Sequence, residues 1–336
     1  MNVLRRIPAL KFLISTLAFS LLLIAPAMLR AESLGANVIA LFPAGVKEFG
    51  YADLKQARKL SWMKQFEQQA LPASYAEFQD FLRSVGIDPD TQINQLAWSL
   101  GAASGDKPGA LPEMTDMIGV LAGTFDSQAL DSFYSAHQLR TVRLQGHTVY
   151  VCGNETTCQN VYFYFVDSST IAFGSRKALA AVMADFSGQQ ANLGDDRQFL
   201  DLARGVNHGD VAFWGVLSDA ASRKAIAQLL PGSAQFPQSD ELFKHVKSVV
   251  VSVLSADNLD ANFRVIADSP QLAATLQQLL QAGLLLQQYR IAQSDPDIAK
   301  LLDGVQVAQE GNALSISLSA SSDQIAAMVK RNMFLM

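Results

Sequence analysis

The run Val246-Lys247-Ser248-Val249-Val250-Val251-Ser252-Val253-Leu254-Ser255, the break Ala256-Asp257-Asn258, and the run Leu259-Asp260-Ala261-Asn262-Phe263-Arg264-Val265-Ile266-Ala267 decide the fold. Two runs rich in β-branched residues, separated by a turn-forming triplet, read as an antiparallel pair of strands. In the second run Asn262 and Arg264 alternate with Phe263 and Val265, the period of two that buries one face of a sheet and wets the other. Ser269-Pro270 follows at once. Proline suits the first helical position, where its missing N–H has no partner to lose, so a long helix is expected to about Gln293. Ser294-Asp295-Pro296-Asp297 then opens a short helix that stops at Gly304. Val305–Glu310 and Ala313–Leu318 read as a hairpin across Gly311-Asn312, and Ser321 begins a last helix.

The pattern extends upstream. Glu48–Leu54, Ile93–Leu100, Met117–Thr124, Thr141–Leu144, His147–Cys152, Val161–Asp167, Thr170–Gly174 and Val211–Leu217 read as strands. Apolar residues at three- and four-residue steps from Ala57 to Val85 predict a helical stretch broken at Pro72. Further helices are expected from Ser127, over Arg176–Phe186, over Asp195–Gly205 and over Ala220–Leu230. Asn37–Pro43 reads as a short extended segment. The class is α+β: antiparallel sheets with helices packed on one face, in two halves of similar style. An N-terminal domain over residues 28–200 and a C-terminal domain over 201–336 are expected.

Of the 336 residues, 49% are hydrophobic and 17% charged, which excludes a disordered acidic or basic chain. Part of the apolar content sits at the N-terminus. Arg5, Arg6 and Lys11 form a basic region, Phe12–Leu29 is almost wholly apolar, and Ala25-Pro26-Ala27 has the small-residue pattern read by signal peptidase. Residues 1–27 are therefore expected to be a signal peptide, cleaved after Ala27 or, second, after Ala31. An uncleaved segment would be a membrane anchor. The destination is the periplasm or the exterior. Cleavage after Ala27 removes three of the 26 basic residues and no acidic one, leaving 23 against 31 and a net charge of −8. That balance disfavours nucleic acid and anionic lipid as partners.

Cys152 and Cys158 bracket Gly153-Asn154-Glu155-Thr156-Thr157 between strand-like runs. In an oxidising compartment they are expected to close a small disulfide loop. A metal pair would need further ligands close by, and a redox pair usually has two residues between its cysteines.

Motifs that carry chemistry are sparse. The four histidines, His137, His147, His208 and His245, fall at no metal-ligand spacing, and no cofactor or metal is expected. Ser61-Trp62-Met63-Lys64 has the S-x-x-K pattern but lacks the K-T-G and S-D-N elements that accompany it in penicillin-recognising enzymes. The D-P-D elements at Asp88–Asp90 and Asp295–Asp297 read as turn and helix-start chemistry before calcium ligation. Asn207-His208-Gly209-Asp210 is the best candidate for a catalytic loop by composition, although a turn rich in small and polar residues accounts for it better. No catalytic residue is assigned.

The helix after Pro270 carries many Leu and Gln and no charge between Asp268 and Arg290. Its apolar positions cover more than one stripe. Leu276, Leu280, Leu284 and Tyr289 are the candidate residues of a ligand or partner surface. Met333-Phe334-Leu335-Met336 is a second apolar segment that could dock on the body or on a partner.

Leu41-Phe42-Pro43, Phe49-Gly50-Tyr51-Ala52-Asp53-Leu54, Phe78-x-x-Phe81, Gly86-Ile87-Asp88-Pro89, Ile93-x-x-Leu96-Ala97-Trp98 and Gly119–Asp126 together resemble a group of exported bacterial proteins of unknown function, of acidobacterial type. The resemblance implies a signal peptide and an α+β body and assigns no catalytic residue. The expected function is a non-enzymatic periplasmic or extracellular binding protein for a hydrophobic ligand or an envelope partner. A hydrolase with a site near Asn207–Asp210, or a structural subunit of an envelope complex, are the alternatives.

Overall fold

The Gly50, Trp98, Gly119 and Phe173 positions lie side by side in one cross-strand row, and they explain how the first sheet packs. A methyl group on Gly50 would collide with the Trp98 ring, and one on Gly119 with the Phe173 ring. Each large ring occupies, at the glycine of the neighbouring strand, the space a side chain there would otherwise fill. Phe163 continues the row and stacks on Phe173 at 5.7 Å.

The structure is a computed structural model. It describes residues 33–59, 79–80, 82–84, 86–100, 117–126, 140–151, 161–186, 188, 190–209, 211–229, 239–255, 258–293 and 295–325. The expected signal segment, Ser61–Lys64, His137, the Cys152–Cys158 loop, Asp210 and Met333–Met336 lie outside these residues. So do most of the helical stretch expected from Ala57 and the helix expected from Ser127.

Two compact units are present. The first draws on residues 32–55 and 72–205. It contains α1 (Ala36–Ile39), β1 (Glu48–Asp53), β2 (Ile93–Leu100), β3 (Met117–Gly123), β4 (Thr141–Leu144), β5 (His147–Val151), β6 (Tyr162–Asp167), β7 (Thr170–Gly174), α2 (Arg176–Phe186) and α3 (Arg197–Arg204). The strands run in the order β1-β2-β3-β7-β6-β5-β4, every neighbouring pair antiparallel. Leu82, Ile87, Ile93, Leu121, Phe125, Val161, Phe163, Ile171 and Phe173 form its core. Helix α2 packs Leu179, Val182 and Met183 onto β3, β6 and β7. A chain of edge-to-face rings, Phe42 to Phe49 at 4.9 Å and Phe49 to Phe199 at 5.1 Å, ties the segment after α1 and strand β1 to α3.

The extended reading of Asn37–Pro43 is corrected. Ala36–Ile39 is a turn of helix, with the Val38 and Ile39 N–H groups both donating to Gly35 O. Packing decides the matter. Helical geometry buries Val38 and Ile39 together, whereas a strand would have sent them to opposite faces.

The second unit draws on residues 206–336 and 56–71. It contains β8 (Val211–Ser218), α4 (Asp219–Leu229), α5 (Ser239–Lys244), β9 (Val246–Ser255), β10 (Leu259–Ala267), α6 (Pro270–Ala292), α7 (Pro296–Asp303), β11 (Gln306–Glu310) and β12 (Ala313–Ala320). The order is β11-β12-β10-β9-β8, again antiparallel throughout. Phe263 lies opposite Val251 and Ile316, and Val265 opposite Val249 and Leu314. All six are buried. On the other face Arg264 and its partner Ser315 are exposed. The alternation read in 262–266 is therefore the alternation of the two faces. Helices α4 and α5 pack against β9, and α6 against β10, β11 and β12. The fold is α+β, an antiparallel sheet with helices.

Candidate functional site

Helix α6 begins as Ser269 and Pro270 dictate. Ser269 Oγ accepts the Leu272 N–H at 3.3 Å, and Pro270 opens the first turn. From there Leu272, Leu276, Leu280 and Leu284 recur every fourth residue, joined by Ala273 and Ile291, and all are buried. Gln277 Nε2 donates to Val307 O at 3.3 Å and pins the helix to β11.

The opposite side of the same helix is apolar as well. Leu285 is 67% exposed, Leu286 49% and Tyr289 72%, and they are the large hydrophobic residues most open to solvent among the described residues. At 100° per residue the three lie together on the outer face, three and four positions apart. Gln271, Thr275, Gln278, Gln281, Ala282 and Gln293 extend that exposed surface along the helix, and Arg290 is its charge. Of the four residues expected to form a ligand or partner surface, Leu276, Leu280 and Leu284 face the sheet, and Tyr289 faces solvent. Leu285 and Leu286 are the surface residues that sequence reasoning missed. Once the stripe at 276, 280 and 284 is set against the sheet, helical geometry puts 285 and 286 on the far side.

The three described histidines occupy different settings. His208 is exposed in a turn held by backbone bonds, its N–H donating to Val206 O and its carbonyl accepting from Val211. Among the described residues no side chain is seen to orient its ring. His147 Nδ1 lies 3.2 Å from the Tyr164 hydroxyl, and their rings meet edge to face at 5.2 Å. Burial pushes the Tyr164 phenol above its ordinary range. His245 Nδ1 lies 2.7 Å from Asp268 Oδ2, with the two side chains 54% and 38% exposed. The β9–β10 register places Val246 opposite Ala267, so the residues just outside that pair meet across the end of the ladder. The sequence alone does not pair them, because the register shifts at a β-bulge between Ile266 and Ala267, and without that shift Asp268 would lie opposite Val246.

The acidic residues around Asp88 and Asp195 serve local turns, caps and ion pairs. Asp88 accepts the Asp90 N–H and the Thr91 hydroxyl, while Arg83 bridges Asp80 and Asp90. Asn192 and Asp195 form a reciprocal capping box, and Asp196 caps α3 through the Phe199 N–H. Asp167 is a turn carboxylate that anchors the β6–β7 hairpin. Partial burial pulls it up, but hydrogen bonds from the Ser169 hydroxyl and N–H and from Thr170 outweigh this and hold it below the ordinary range. Among the described residues no group of three or more His, Cys, Asp or Glu could hold a metal ion, and no helix is long and apolar enough to cross a membrane.

No family model matches the chain, and no curated protein matches it. Solved structures that resemble it include three crystal forms of TP0453, from Treponema. Form I is 10% identical, with a TM-score of 0.47 over 88% of this chain and 97% of that one. Form III is 9% identical, with 0.49 over 87% and 97%. Form IV is 10% identical, with 0.46 over 87% and 95%.

Proposed function

We propose that this chain is an exported binding protein that uses the outer face of α6 to take a hydrophobic ligand or the apolar segment of an envelope partner. The observation that carries the reading is the exposure of Leu285, Leu286 and Tyr289 on one face of a helix whose other face is already filled. Exposed apolar side chains gathered at one place, flanked by uncharged polar ones, mark a contact surface more often than scattered ones do. Export rests on the basic region, the apolar run and Ala25-Pro26-Ala27. The disulfide between Cys152 and Cys158 belongs to the same reading, because the oxidising compartment beyond the inner membrane would form it.

The test is a mass spectrum of the organic extract of protein purified from the exported fraction. A co-purifying amphiphile, lost when Leu285, Leu286 and Tyr289 are all replaced by Asp, supports the ligand. Protein recovered only from the cytoplasm at full length would end the export reading. Co-purification of one stable envelope protein through the same residues would make the occupant a partner instead.

A further inference from the structure

We infer that the outer face of α6 pairs with the same face of a second copy, making a reversible two-fold dimer. This rests on the reading of that face as a contact surface and names an occupant for it. Three features point to a second copy. The first is shape. If two α6 helices meet antiparallel about an axis between Leu285 and Leu286, Tyr289 lies over the partner's Ala282, a large side chain on a small one. Leu285 then meets the partner's Leu285, and Leu286 the partner's Leu286. Ala282, Leu285, Leu286 and Tyr289 are all exposed, so the match needs no rearrangement. A two-fold interface must be self-complementary in this way.

The second feature is charge. The chain carries an excess of acidic residues, 31 against 26 basic, which resists self-association over most of its surface. This face has no acid between Asp268 and Arg290. In the paired arrangement the two Arg290 side chains lie about nine helical residues apart along the seam, roughly 13 Å, beyond the Debye length of about 8 Å at physiological salt. The third feature is size. A seam of about four helical turns removes on the order of 1,000 Å² of surface in total, the lower limit for a specific interface, so the dimer is weak and exchanges readily.

Sedimentation equilibrium on the purified protein, over concentrations from low to high micromolar, tests this. The mass is expected to rise from that of a monomer toward twice that value. Leu286→Asp and Leu286→Lys are each expected to stay monomeric, because the axis brings each new charge against its own copy. Their equimolar mixture is expected to regain the dimer, because Asp then faces Lys. Circular dichroism confirms that each variant is folded. A wild-type protein that stays monomeric throughout, a Leu286→Asp variant that dimerises as the wild type does, or a mixture that stays monomeric would each overturn the proposal. Binding of a hydrophobic probe below the dimerising concentration reads the contact surface separately, so failure of the dimer and failure of the surface are told apart.

Discussion

Leu284 and Leu285 are neighbours in the chain, yet one is 9% exposed and the other 67%. A helix turns 100° between them, and α6 presents leucine to both sides of that turn. The difference sets a sharp expectation for substitution. Leu276→Ala, in the buried stripe, should lower the free energy of unfolding by about 2–5 kcal/mol, through lost burial and the cavity left behind. Leu285→Ala should change it by no more than about 0.5 kcal/mol. Urea unfolding followed by circular dichroism gives both numbers, and equal effects would mean that the two faces are not distinct.

The start of α6 offers a second test. Ser269 satisfies the Leu272 N–H that the first helical turn leaves without a partner. Ser269→Ala should cost about 1 kcal/mol in the same unfolding experiment, and Ser269→Asp should restore most of it, because aspartate caps equally well.

The glycine row of the first unit predicts an overpacking cost. Gly119→Val must displace the Phe173 ring, which is itself stacked on Phe163. A loss of about 1–3 kcal/mol is expected. The paired variant Gly119→Val with Phe173→Leu should recover part of it, because the ring that blocks the new side chain is gone. Additive losses in the double variant would show that Phe173 is not the obstacle.

Asp167 predicts a contribution at acid pH. Its carboxylate is held below the ordinary range by Ser169 and Thr170. The stabilisation is therefore fully present above the unfolded value of about 4 and is lost as pH falls through the lower folded value. Asp167→Asn should lower stability at neutral pH by well under about 1 kcal/mol, since the group is largely solvated, and should flatten the acid limb of the stability curve. An unchanged acid limb would remove this turn from the account.

The cysteines give a chemical test. Protein taken from the exported fraction is expected to show no free thiol before reduction and two after it. Two free thiols before reduction would contradict the bridge.

The antiparallel pair from Val246 to Ala267 was readable because its alternation and its turn-forming triplet both specify strands, and its bounds agree with β9 and β10. The short segment at Ala36–Ile39 was not, because four residues carry too little periodicity to separate helix from strand. The faces of α6 were only half readable. Leucine on every side hides which stripe meets the sheet, and that is settled by the position of β10, β11 and β12, not by the helix itself. His245 and Asp268 were missed because they are 23 residues apart and meet only through the register of two strands.

The most direct test of the central claim is the fluorescence of an anilinonaphthalene dye, titrated at a protein concentration too low for self-association. The wild-type protein is expected to bind the dye, and the variant with Leu285, Leu286 and Tyr289 all replaced by Asp is expected to lose that binding several-fold while unfolding at the same urea concentration. Equal dye binding by two equally stable proteins would contradict the assignment of the α6 outer face as the contact surface.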